Sequence, residues 1–296
     1  MGGVMRRRVG SDGLTAWFFI LASLVGFAFF YVIPAVRNVI ISFTHWNMLS
    51  PARPAGLANY AQMFGDSVFW NALKITFFYV IYNIPLQTVL AIFLAVMMDR
   101  FAGSVVIRGV LILPYLLPPV VVGLIWLWML NPILGIVDVT LKSIGLPSMP
   151  FLGSVSQALP TIAGINIWEY MGFNALLFFA GLQGIPKSLY EAAGLDGASE
   201  WTMLWRITLP LLRPVTAFVV ITTVIGSFQI FDTIAVTTTG GPVNATRVLV
   251  WYIYEQAFQQ FKMGYGASMA TFLFVLLGII ALIQFRVFRT GDSDLA

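Results

Sequence analysis

The sequence predicts an all-α integral membrane protein with six membrane-crossing helices, and three observations predict it. Of 296 residues, 59% are hydrophobic and 9% charged, against about 25% charged in an ordinary soluble domain. The charges are spaced so that uncharged runs approach or exceed the ~20 residues a helix needs to cross the hydrocarbon core. Cysteine is absent, which excludes a disulfide framework and a thiolate metal site.

Leu14 to Ile33 is the first run. Lys74 and Asp99 bracket the second, Arg108 and Asp138 the third, and Lys142 and Lys187 a fourth whose only charge is Glu169. A fifth lies between Arg213 and Asp232 and a sixth between Lys262 and Arg286. Helices are therefore expected near 14–33, 74–98, 108–130, 160–182, 213–235 and 265–287, with residues 1–13 and 289–296 as tails beside a 14–288 membrane domain. The first run exceeds an ordinary signal-peptide core and no A-x-A-like site follows it, so it is expected to be retained. In the third run Pro114, Pro118 and Pro119 remove backbone donors and predict a bend. Membranes tolerate such a bend only where protein or water satisfies the freed carbonyls. Trp126 and Trp128 read as residues of the interfacial belt.

Lys and Arg set the orientation. With the N-terminus inside, the inner face holds Arg6, Arg7, Arg8, Arg100, Arg108, Lys187, Arg206, Arg213, Arg286 and Arg289, and the outer face holds Arg37, Arg53, Lys74, Lys142, Arg247 and Lys262. Both termini are thus expected in the cytoplasm. The net charge of +4 belongs to this topology and not to nucleic-acid binding.

One inner segment departs from its surroundings. EAAGLDGASEWTMLWRITLPLLRP, residues 191–214, gathers Glu191, Asp196, Glu200, Arg206 and Arg213. Ser188 stands three residues before Glu191, the capping-box spacing. Gly194 and Gly197 interrupt the helix, Ser199 or Glu200 starts a second one, and Pro210 is expected to close it. Trp201 and Trp205 suit a connector lying on the membrane surface. The small residues Ala192, Ala193, Gly194, Gly197 and Ala198 equally suit close approach by another protein.

The order of motifs resembles the permease subunits of binding-protein-dependent ABC importers, in the maltose and glycerol-phosphate branch of sugar uptake. It rests on E-A-A followed by Gly197 and I-T-L-P at 207–210, FAGLQGIPKSLY at 179–190 and TTTGGPVNATRVLVWYIYEQAF at 237–258. GLANYAQMF at 56–64, YVIPAVRNVIISFTHWN at 31–47 and RGVLILPYLLPPVVVGLIWLWML at 108–130 extend the match to nearly the whole chain. The resemblance implies the type I importer permease fold in a bacterial or archaeal cytoplasmic membrane. It makes 186–211 a coupling loop seated in a cytoplasmic ATPase, with Glu191, Ala192, Ala193, Gly194, Asp196 and Gly197 as its contact residues. The implied partners are a second homologous permease, two ATPase copies carrying ATP and Mg, an extracytoplasmic binding protein, the carbohydrate it delivers, and membrane lipid.

No cofactor is expected on this chain. Its four lysines, Lys74, Lys142, Lys187 and Lys262, follow Leu, Leu, Pro and Phe, so no phosphate-binding Gly-Lys-Ser/Thr motif exists. The only histidine, His45, reads as an ordinary interfacial residue. No catalytic residue and no metal site are expected, and the chain is read as the non-catalytic subunit of an ATP-hydrolysing transporter.

Polar groups in apolar spans mark candidate pathway residues, because an intramembrane charge is costly. Asn166, Glu169, Tyr170, Phe173 and Asn174 recur at helical spacing in the fourth span, and Thr222, Thr223, Ser227 and Gln229 lead to Asp232 in the fifth. Rings beside hydroxyls and amides suit a sugar, though such residues also serve helix packing. Matched by register to the maltose-type permease, the sugar contacts fall on Glu169, Tyr170 and Phe173, and on Thr223, Gly226, Ser227 and Ile230. That relative has asparagines at the last two positions and an apolar residue at Glu169. Asn174 completes the predicted set. Glu169 would repel a phosphate, which favours a neutral or cationic sugar over the alternative cargo, glycerol-3-phosphate. Two other classes stand beside these readings: an ion-coupled secondary transporter using Glu169 and Asp232, and a structural membrane subunit. Segments 43–70 and 236–262 are the expected outer docking surfaces, the second with a short helix on the outer face.

Overall fold

A computed structural model describes residues 9–101 and 105–289. The arginines at 6–8 and most of both expected tails lie outside these residues. The described chain is mostly helical, its only strands being β1 (Thr44–His45) and β2 (Arg53–Pro54), paired antiparallel. By internal contacts it forms two units, one of the chain up to Gly65 with Gln256–Phe272, the other of Asp66–Glu255 with the chain from Leu273.

In the first unit, α1 (Val9–Phe27) continues through a π-helical turn into α2 (Ile33–Ser42). The resulting apolar rod, Ala16–Ser42, runs well beyond the predicted end at residue 33, because the first charge after it, Arg37, does not stop a helix. The short α3 (Ala58–Gly65) is tied back by Asn59, whose Nδ2 donates to Ser42 O at 2.8 Å and Thr44 O at 2.9 Å. Asn38 Nδ2 donates to Thr271 Oγ1 at 3.1 Å, fixing α2 to the first turns of α15 (Met263–Arg289).

The second unit is built around α4 (Ser67–Phe101) and α8 (Ala158–Gln183), which pack along each other. Between them come α5 (Val105–Ile112), a 3-10 turn at Leu113–Leu116, α6 (Pro119–Met129) and α7 (Ile136–Ser143). The helices before and after Leu117 bend by 94°, where Pro118 and Pro119 supply no backbone donors. The Trp126 ring packs edge-on against Trp168 at 5.5 Å, while Trp128 remains exposed.

The loop around α7 is held by one carboxylate. Asp138 is buried, with Lys142 Nζ at 2.5 Å and Ser148 Oγ donating to it at 2.5 Å. The hydrogen bonds from Lys142 and then Ser148 hold its pKa below the ordinary 3.8. A lowered carboxylate pKa adds stability above the ordinary value and loses it as pH falls through the folded one. Amide exchange of 136–149 should therefore stay slow from neutral pH down to about 4 and rise below it. Asp138→Asn should exchange fast throughout; equal protection in both proteins would refute this.

The chain then folds through α9 (Lys187–Leu195), α10 (Glu200–Met203), a π turn at Leu204–Thr208, α11 (Leu209–Leu211), α12 (Arg213–Phe228) and α13 (Asp232–Val236). Next comes α14 (Leu249–Tyr254), whose Leu249, Trp251 and Tyr252 are buried. It is the short helix expected within 236–262, and it packs on α4, where Leu249 N donates to Thr76 Oγ1 at 2.9 Å.

Among the described residues four helices are long and apolar enough to cross a membrane, or five if the bent pair of α5 and α6 is one span. The 26-residue α8 is long enough, but Asn166, Glu169 and Asn174 lower its apolarity and it is not among them. Those polar groups bring it into the centre of its unit, with buried residues distributed around its circumference.

Candidate functional site

Two places concentrate the chemistry. The first is a cavity of about 230 Å³ in the second unit, between α4, the 113–119 bend, α8, α12 and the start of α13. Tyr170, Phe173 and Asn174 line it from α8, and Thr223, Gly226, Ser227 and Ile230 from α12 and the break after it. Asn166, Thr222, Gln229 and Asp232 face it as well. Seven of the eight residues expected to contact cargo therefore lie together. Glu169 does not: it is 1% exposed, outside the lining, with Oε2 unpartnered among the described residues. The neighbouring positions 170, 173 and 174 occupy the open face, and residue 169 turns into packed surface.

Six lining residues were not expected: Asn83, Gln87, Tyr115, Pro119, Phe231 and Thr233. Tyr115 stands in the proline-rich bend, its ring stacked on Phe173 at 4.3 Å and edge-on to Tyr170 at 5.6 Å. Asn83 and Gln87 come from α4, and Asn83 Nδ2 donates to Ser227 Oγ at 2.8 Å. Two amides one turn apart in an apolar run were the available signal. Close helix approach shapes this wall: a Cβ on Gly172 would collide with the backbone carbonyl of Leu111 on α5.

The second place is the segment after α8. No side chain caps α9; it begins at Lys187 after Pro186, so Ser188 sits in its first turn and cannot cap it. Proline's fixed φ suits a helix entry, which displaces the expected cap by two residues. The far end is a Schellman turn: Ala198 N donates to Ala193 O at 2.9 Å and Gly197 N to Gly194 O at 3.1 Å, with Gly197 at φ +75°. Ser199 then caps α10, its Oγ accepting from Thr202 N at 3.2 Å. The second helical run, from Glu200 through the π turn, ends at Leu211, one residue after Pro210, before α12 begins at Arg213.

Glu191, Ala192, Gly194, Asp196 and Gly197 are exposed and Ala193 is half-buried. Leu195, not among the expected residues, is 90% exposed, and Trp201 and Trp205 are exposed as well, their rings edge-on to each other. An apolar set of this kind marks a surface that meets protein or membrane. Tyr190 OH and Thr208 Oγ1 lie 2.9 Å apart, tying α9 to the π turn that leads into α12. Removing the hydroxyl by Tyr190→Phe should cost about 0.5–1.5 kcal/mol and speed amide exchange in α9, and unchanged exchange would deny the tie.

The comparisons with known proteins agree with this architecture. The model of the family described as binding-protein-dependent transport system inner membrane component matches residues 87–290. The chain is 32% identical over 286 residues to the probable ABC transporter permease protein YesP of Bacillus subtilis, covering 95% of this chain and 92% of that one. It is 36% identical over 233 residues to the sn-glycerol-3-phosphate transport system permease protein UgpA of Agrobacterium fabrum, covering 78% and 79%. In fold it matches a chain of a bacterial ABC transporter involved in import of the acidic polysaccharide alginate, with a TM-score of 0.83 and 23% identity over 95% of this chain and 97% of that one. The chain belongs to the family of inner membrane components of binding-protein-dependent transport systems.

Proposed function

We propose that this chain is one permease subunit of an ATP-driven importer and forms half of the pathway for a sugar or oligosaccharide handed over by an extracytoplasmic binding protein. The observation that carries the reading is the exposed turn from Glu191 to Gly197, joined through Tyr190 and Thr208 to α12, whose farther turns line the cavity. Ser227 lies 36 positions after Glu191, but α12 itself is a rigid lever of roughly 1.5 Å per residue. In this reading the turn docks on a cytoplasmic ATPase that binds ATP and Mg, and nucleotide-driven closure rocks α12 against α8. The six crossings are α1 with α2, α4, the bent α5–α6 pair, α8, α12 with α13, and α15, in the cytoplasmic membrane with both termini inside. A second, homologous permease completes the pathway.

A second cargo, glycerol-3-phosphate, is favoured by the likeness to UgpA. Nothing in the comparisons supports ion coupling through Glu169 and Asp232. Uptake by the reconstituted complex decides between the mechanisms: cargo accumulates with ATP and binding protein and no ion gradient. Accumulation driven by a proton or sodium gradient without ATP would overturn the reading.

A further inference from the structure

The cavity has a chemical sign. Among the described lining residues Asp232 is the one charged group, and no Lys, Arg or His faces the space. On α4, Asn83 and Gln87 line the cavity and are 1% and 3% exposed, and among the described residues Asn83 Oδ1 and Gln87 Oε1 have no hydrogen-bond partner. Buried carbonyl oxygens are costly until a donor reaches them. Thr222 Oγ1 already donates its proton to Phe218 O at 2.8 Å, so it too offers lone pairs. The stacked Tyr115 and Phe173 rings add apolar surface. The amides carry N–H donors beside these acceptors, and the hydroxyls of Tyr115 and Tyr170 offer both, so the lining can pair with hydroxyl groups. An acidic cargo would carry its charge towards the exposed Asp232 carboxylate, with no cation among the described lining residues to offset it.

We propose that this cavity takes polyhydroxylated or amino-bearing cargo without an acidic group, with Asp232 as the charge filter and the Asn83–Gln87 pair as the hydroxyl-recognising element. The proposal rests on reading the cavity as this chain's part of the pathway. It sets the cargo apart in charge from the glycerol phosphate and acidic polysaccharide named for relatives.

The absence of cysteine from the chain makes a direct test possible. Gly226 lines the cavity, and a Cβ placed there meets nothing within 4 Å, so Gly226→Cys introduces one reporter thiol. The assembled transporter carrying it is treated with neutral, cationic (trimethylammonioethyl) and anionic (sulfonatoethyl) methanethiosulfonates. Modification is followed by the mass of this chain, and rates are divided by those with a free thiol. The cationic reagent should react about tenfold faster than the anionic one, the size expected of a cleft lined by one sign of charge. Adding Asp232→Asn should abolish the preference, and Asp232→Lys should invert it. Equal rates, an anion preference, or a preference untouched by Asp232→Asn would overturn the charge filter. Failure of the neutral reagent to reach the thiol, with or without nucleotide, would instead overturn the pathway reading beneath it.

Discussion

Gly172→Val should be the most damaging single substitution in the transport wall. An added Cβ at residue 172 meets the Leu111 carbonyl oxygen in hard overlap and the Leu111 carbonyl carbon at 2.6 Å, so backbone and not a flexible side chain must yield. Overpacking a tight site costs about 1–3 kcal/mol and sometimes more; with backbone as the obstacle the upper end is expected. The next residue, Phe173, stacks on Tyr115, so displacing α5 also removes Tyr115 from the cavity. The variant should melt earlier in detergent and lose uptake. Gly164, on the same helix, meets nothing within 4 Å, and Gly164→Ala should stabilise by about 0.5–1 kcal/mol through helix propensity. Equal melting of Gly172→Val and wild type would show that α5 does not lie against α8 as described.

Gly197→Val should leave the fold in the membrane intact and disable the exposed turn. Gly197 sits at φ +75° with open space around it, so the penalty is conformational and not steric crowding. A left-handed backbone costs an L-residue roughly 1–2 kcal/mol, and more for a β-branched one. The Schellman bonds of Ala198 and Gly197 should break, fraying α9 and releasing the Ser199 cap of α10. Protease cleavage near residue 197 should rise while the melting temperature of the whole chain holds. Gly197→Asn, which tolerates this backbone region better, should recover most of the loss. A valine variant as protease-resistant as wild type would remove the turn from the account.

Much of this was legible in the primary structure because its causes are local. Charge-free runs mark apolar helices whatever they pack against, the three prolines announce the bend at residues 114–119, and Gly197 and Ser199 carry their turn and cap chemistry in their own side chains. Other features needed the third dimension. Asn83 and Gln87 acquire meaning only where α4 meets α12, and Tyr115 only because Gly172 lets the bend approach α8. The contact of Trp126 with Trp168 exists only once α6 meets α8. Glu169 attracted attention as the one carboxylate in its span, yet its burial sets it behind the cavity face. At the start of the exposed segment proline misled: Pro186 leads into a helix that Ser188 was expected to cap.

The central claim is that the segment from Glu191 to Gly197 passes the work of a separate ATPase to the cavity. The measurement that tests it most directly is ATP hydrolysis by the liposome-reconstituted complex on addition of cargo-loaded binding protein, comparing wild type with Glu191→Lys. Reversing an exposed carboxylate at a docking surface should oppose the partner's complementary charge. The account predicts loss of stimulated hydrolysis and of ATPase co-purification in the variant, with the membrane protein still folded. Stimulation and association equal to wild type would contradict it and leave the segment a connector on the membrane surface.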